Sequence, residues 1–126
     1  MKQLTVSMII LGLIAGLGFW TNSLLQKSAQ HLVIHIDEIT TQIKNEDWIE
    51  ALEHTEALET AWNNQVGWWP IILDHQEIDN IEFSLAKVRA YVDNQDKPLS
   101  LAQLSELRLM IEHIPAKEAV TLKNIL

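Results

Sequence analysis

LTVSMIILGLIAGLGFW, residues 4–20, runs without a charge into TNSLLQKSAQHLVIHIDEITTQIK, residues 21–44. At about 1.5 Å of rise per residue the first stretch extends about 25 Å as a helix. That is slightly short of a hydrocarbon core of about 30 Å. Trp20 at its far end suits an interfacial aromatic position. The second stretch changes character. Leu25, Ala29, Leu32, Ile36, Ile39 and Ile43 recur at spacings of 4, 3, 4, 3 and 4, a heptad seam that starts just beyond the apolar segment. No Pro or Gly interrupts the chain between Phe19 and Asn45. One long helix is therefore expected to leave a bilayer and enter a soluble domain, with residues 1–22 as anchor and 23–126 as helical domain.

The rival for this segment is a cleaved signal peptide, which would make the protein a secreted soluble domain. The best cleavage position, after Ala29, would put Lys27 at the −3 position, which is unfavourable. An uncleaved, single-pass anchor is the reading taken. Gly12 and Gly16 form a G-x-x-x-G that could admit a second helix closely, pointing to a homo-oligomer. Lys2 and the α-amino group favour an inside N-terminus, opposed by Lys27 near the other end. The acidic domain is expected outside the cytoplasm.

The chain has 126 residues, room for one domain once the anchor is subtracted. Four Gly and three Pro argue against a turn-rich all-β chain. With no Cys, neither a disulfide framework nor a zinc–thiolate site can form. A net charge of −8 argues against nucleic acid as a partner, because phosphates would be repelled.

Three further amphipathic stretches follow. Residues 46–62 carry Trp48, Ala51, Leu52, Thr55, Leu58 and Trp62 on one face, with Asn45 as the expected cap. After NNQVGWWP (63–70), Ile71, Ile78, Ile81, Leu85, Val88 and Val92 hold heptad spacing to about Asp93. This helix begins either at Pro70 or at Asp74, where Glu77 could complete a capping box. DNQDKP (93–98) is a turn, with Ser100 or Asp96 as the next cap. Leu101, Leu104, Leu107, Ile111 and Ile114 form the last stripe, expected to end at Pro115. The fold class is all-α: an antiparallel four-helix bundle, or paired αα-hairpins of the tetratricopeptide kind. With an unbroken first helix, the turn near Asn45 is distal and GWWP returns to the bilayer surface. Lys117, Lys123 and the C-terminus come back to that side as well. Trp68 and Trp69 then either meet the headgroups or plug the core between hairpins.

Candidate chemistry is sparse. His75 and Asp79 stand at i and i+4 and could share a cation if His113 or Glu112 supplied a third ligand. The plainer reading makes Asp74 and Glu77 a cap and His75 and Asp79 a local pair. Glu50, Glu53 and Glu56 belong to an acidic run without intervening Lys or Arg. The run is either a solvated face or a docking surface for a basic partner. His31, His35, His54 and His113 are scattered, and no nucleophile–base order or phosphate-cradling loop appears. No cofactor and no enzymatic activity are expected.

The N-terminal anchor, the Trp48…Trp62 helix, ILDH at 72–75 with EIDNIE at 77–82, and the closing TLKNIL at 121–126 resemble the bacterial family called domain of unknown function 4363. The resemblance covers nearly the whole chain, with ILDH a small departure from the family's LIDH-like run. It implies a small membrane-associated helical protein, found mainly in spore-forming Gram-positive bacteria. It also implies an accessory role beside multi-span YetF-like membrane proteins, whose genes often neighbour the family's. It supplies no catalytic residues. The resulting expectation is a membrane-anchored, non-enzymatic interaction protein of the cell envelope, touching the membrane or a partner through Gly12, Gly16, Trp20, Trp68 and Trp69. The alternative is a metal- or small-ligand-binding helical domain centred on His75 and Asp79.

Overall fold

The computed structural model describes residues 1–71 and 73–125; Ile72, part of the ILDH run, and Leu126, the end of TLKNIL, lie outside them. Side-chain detail covers residues 1–70 and 73–114, so the side chains of Ile71, Lys117 and Lys123 fall outside it.

Helix α1 spans Lys2–Lys44 as one unbroken rod of 43 residues, about 65 Å long at 1.5 Å per residue. Its two halves obey different rules. No residue before Leu25 is buried, whereas Leu25, Ala29, Leu32, Ile36, Ile39 and Ile43 are each at most 4% exposed. The heptad seam thus faces a core, and the uncharged stretch faces none. The two hydroxyls of that stretch bond within the helix: Thr5 Oγ1 donates to the Met1 carbonyl at 3.1 Å and Ser7 Oγ to that of Gln3 at 2.9 Å. Such self-satisfaction suits a medium without water. The N-terminal part of α1 is long and apolar enough to cross a membrane.

Helices α2 (Trp48–Gln65), α3 (His75–Asp93) and α4 (Lys97–Ile125) complete the fold. α1 packs against both α2 and α4, and α3 packs against α4 and less extensively against α2. That ring closes the four helices around one core, which an open stack of two hairpins would not do. The bundle is the arrangement adopted.

The two turns opposite the apolar segment are built alike. Asn45-Glu46-Asp47 joins α1 to α2, and Asn94-Gln95-Asp96 joins α3 to α4. Glu46 (φ 58°) and Gln95 (φ 55°) occupy the left-handed region, where a Cβ is strained. In each turn the next two amides close back on the preceding helix: Glu46 and Asp47 on Ile43 and Gln42, Gln95 and Asp96 on Val92 and Tyr91. Asp47 then caps α2 by accepting from the Glu50 amide at 3.2 Å, and Asp96 accepts from the Leu99 amide at 3.0 Å. Asn45, expected as the α2 cap, instead ends α1. Asp96 and not Ser100 opens the fourth helix. Ser100 is buried, and Gln103 spends its amide on Ser84 Oγ at 2.7 Å across the α3–α4 interface. A Lys97–Glu46 pair at 3.5 Å links the two turns, so both lie at one pole.

α3 starts after Asp74, whose carboxylate accepts from the Gln76 amide at 3.4 Å, so Asp74 and not Pro70 is its start signal. Pro115, expected to end the fourth helix, lies inside α4. Proline removes a single amide from the ladder, and the bonds on either side carry the helix past it.

Candidate functional site

Where α1 changes from exposed to buried, the end of α2 arrives beside it. Trp20 is 60% exposed, residues 21–24 are half-buried, and Leu25 is wholly buried. At this level Ser28 Oγ donates to Gln65 Oε1 at 2.5 Å, tying α1 to the last residue of α2. Beyond Gln65 the chain folds back. The Trp68 amide bonds to the Gln65 carbonyl at 3.4 Å, a 3-10 turn covers Trp69–Ile71, and the Leu73 amide closes on the Trp69 carbonyl at 2.8 Å.

This hairpin sorts the tandem tryptophans. Trp69 is 0% exposed, edge-on to Trp62 with ring centroids 5.2 Å apart and edge-on to Trp68 at 6.2 Å. Its indole N–H finds no acceptor among the described residues, so ring packing alone holds it. Of the two roles open to it, surface contact or core plug, Trp69 takes the second and is a core residue. Trp68 is half-buried and forms one wall of a groove of about 570 Å³ whose other walls come from Trp20, Leu24, Lys27, Ser28 and Gln65. One tryptophan plugs the bundle and the other flanks the apolar rod. Gly12 and Gly16 lie on the exposed part of α1, with open space where a side chain would project.

The acidic face of α2 is answered from a neighbouring helix. Arg89 of α3 reaches Glu59 at 2.7 Å and Glu56 at 3.4 Å while also pairing with Asp93 at 3.4 Å. Glu50 approaches His54 Nε2 at 3.8 Å. Of the proposed docking trio Glu50, Glu53 and Glu56, only Glu56 is paired with an arginine among the described residues. The run looks unrelieved in sequence because its cation sits on another helix. These pairs are exposed, so each adds little stability.

His75 and Asp79 are both exposed on α3. Neither helper joins them: Glu112 pairs with Arg108, and His113 lines a separate α3–α4 groove with Glu77, Ile81 and Met110. The local side-chain bond on this face runs from Gln76 to Asn80 at 3.1 Å. Among the described residues no group of three His, Cys, Asp or Glu is placed to hold a metal ion.

One cluster escaped the sequence reading. His31 and His35, one turn apart on α1, pack edge-on at 5.1 Å. Glu38 of the same helix lies 4.0 Å from His35 and 3.3 Å from His54 of α2. Burial, and then the His31 charge, lower the His35 pKa from its ordinary value; Glu38 pulls the other way. The spacing of His31, His35 and Glu38 marks one helix face, but His54 joins only through the α1–α2 register.

Comparison with curated proteins and with solved structures gave no match. A family model matches residues 19–125, from the end of the apolar stretch to the last turn of α4. The chain belongs to the family described as Domain of unknown function (DUF4363).

Proposed function

We propose that the protein is a membrane-anchored accessory protein of the cell envelope, acting by contact and not by catalysis. Residues 1–22 form the single-pass anchor, and residues 23–126 form the bundle, held outside the cytoplasm. Its partner is a multi-span membrane protein of the YetF-like kind, or a second copy engaged through Gly12 and Gly16.

One observation carries this reading. The same helix presents six core residues to the bundle and leaves its N-terminal stretch, from Leu4 to Trp20, without a single buried residue. A contiguous apolar surface of that extent is not stable in water, and lipid or another membrane helix is what covers it. Both serine and threonine hydroxyls within its first turns are already satisfied, and both glycines are open to a neighbour. The orientation draws on Lys2 beside the α-amino group at the start of the chain.

The test is fractionation followed by crosslinking in native membranes. The protein stays in the pellet through carbonate extraction, protease added outside the cell digests the bundle, and crosslinking captures a membrane protein or a second copy. Release by carbonate, or a mature N-terminus near Ala29 or Gln30, overturns the anchor. Protection from external protease reverses the orientation.

A further inference from the structure

We infer that the groove between Trp20 and Trp68 binds an anionic glycerophospholipid, with the phosphate at Lys27 and the glycerol and acyl carbons against Trp20, Leu24 and Trp68. The inference rests on the membrane placement proposed above.

Charge distribution is the first argument. All 17 Asp and Glu lie at or beyond residue 37, and residues 60–73 contain none. Along residues 21–36 and 60–73, the two segments that meet at this corner, Lys27 is the sole formal charge. It is also the single charged side chain among those lining the groove. At this corner, between α1 and the end of α2, the apolar rod meets a stretch whose one formal charge is an exposed cation. That cation complements a phosphate monoester or diester, and no Asp or Glu lines the groove to compete for it. Gln65 adds a second donor. Its Oε1 is taken by Ser28, and its amide nitrogen makes no hydrogen bond among the described residues.

Continuity is the second argument, and it selects a lipid over free phosphate. Trp20, Leu24 and Lys27 follow one another at i, i+4 and i+7, so they share a face of α1 spanning about 10 Å along its axis. The groove runs from that cation past Trp68 and Leu24 to the exposed Trp20 at the end of the apolar segment. A free anion would use only the upper end. A glycerophospholipid uses the whole length, and a volume of about 570 Å³ suffices for its headgroup, glycerol and first methylenes.

The test uses the full chain reconstituted in nanodiscs of equimolar phosphatidylglycerol and phosphatidylcholine, then released for native mass spectrometry. The wild type retains phosphatidylglycerol over phosphatidylcholine by about fivefold, the factor expected of one lysine at the interface. In Lys27→Gln, a surface change that leaves the fold alone, the preference falls to parity. In Trp68→Ala, retention of both lipids drops together. Equal retention by the wild type, a preference that survives Lys27→Gln, or a lipid-free dimer seated on this face would each overturn the site. Carbonate extraction of the same samples separates the two claims. Protein that stays in the pellet with no lipid preference refutes the site alone, whereas protein that is released refutes the placement beneath it.

Discussion

Replacing Trp69 with alanine removes the largest fully buried side chain of the bundle. Truncating a buried aromatic to alanine costs about 3–5 kcal/mol, because transfer energy and an unfilled cavity add. The edge-on contacts with Trp62 and Trp68 place Trp69 at the upper end of that range, since each such pair contributes about 0.5–1.5 kcal/mol beyond area. The indole N–H has no acceptor among the described residues and offsets nothing. For a domain of about a hundred residues, 1 kcal/mol moves Tm by roughly 4–8 °C, so a fall on the order of 20 °C is expected. Trp68→Ala, at a half-buried wall of an open groove, should cost about 1 kcal/mol and lower Tm by only a few degrees. The assay is thermal unfolding of the full chain in detergent micelles, followed by far-ultraviolet circular dichroism. Equal falls for the two variants, or a larger one for Trp68→Ala, would refute the division of the pair into plug and wall.

Ser84→Ala strands the buried Gln103 amide donor and should cost about 1–3 kcal/mol; adding Gln103→Leu should recover much of it, as read in the same melts. Gln95→Gly relieves the left-handed backbone at the α3–α4 turn and should raise stability by about 0.5–1 kcal/mol; a lower Tm would contradict the assigned geometry. Because its folded pKa is lowered from 6.5, His35 binds fewer protons in the folded than in the unfolded state. Its stability contribution is therefore complete above pH 6.5 and is lost as pH falls below that value. The loss stops growing once the lower folded pKa is passed. His35→Gln should flatten Tm between pH 6.5 and about 5, a range where carboxylates contribute little, and an unchanged slope would show that another group is responsible.

The helical class and most of the core could be read directly, because period alone separates the apolar rod from the heptad seam that continues it. Leu25 to Ile43 are buried as the spacing demands, and so are Ile78, Ile81, Leu85, Val88 and Val92. What could not be read depends on contacts between helices. Arg89 neutralises Glu56 and Glu59 from 30 or more positions away, and His54 meets Glu38 only through the α1–α2 register. The α2 cap lies two residues beyond Asn45 because Asn45 terminates α1 and leaves Asp47 to start the next helix; Asp96, one of the two caps expected for α4, follows Asn94 in the same way. GWWP was legible as a turn, but which indole would fold inward depended on the position of Trp62. Pro115 does not end the fourth helix, because a proline removes one amide from the ladder while the turns around it remain helical.

An unbroken α1 leaves no joint between the segment assigned to lipid and the bundle. In the proposed placement the protein is a lever: tilting the anchor by about 10° would swing the paired turns at Glu46 and Gln95 sideways by about 5 Å, over the roughly 30 Å that separate them from Leu25. Bilayer thickness, which sets tilt, would then be transmitted to those turns as displacement, with no ligand and no refolding required.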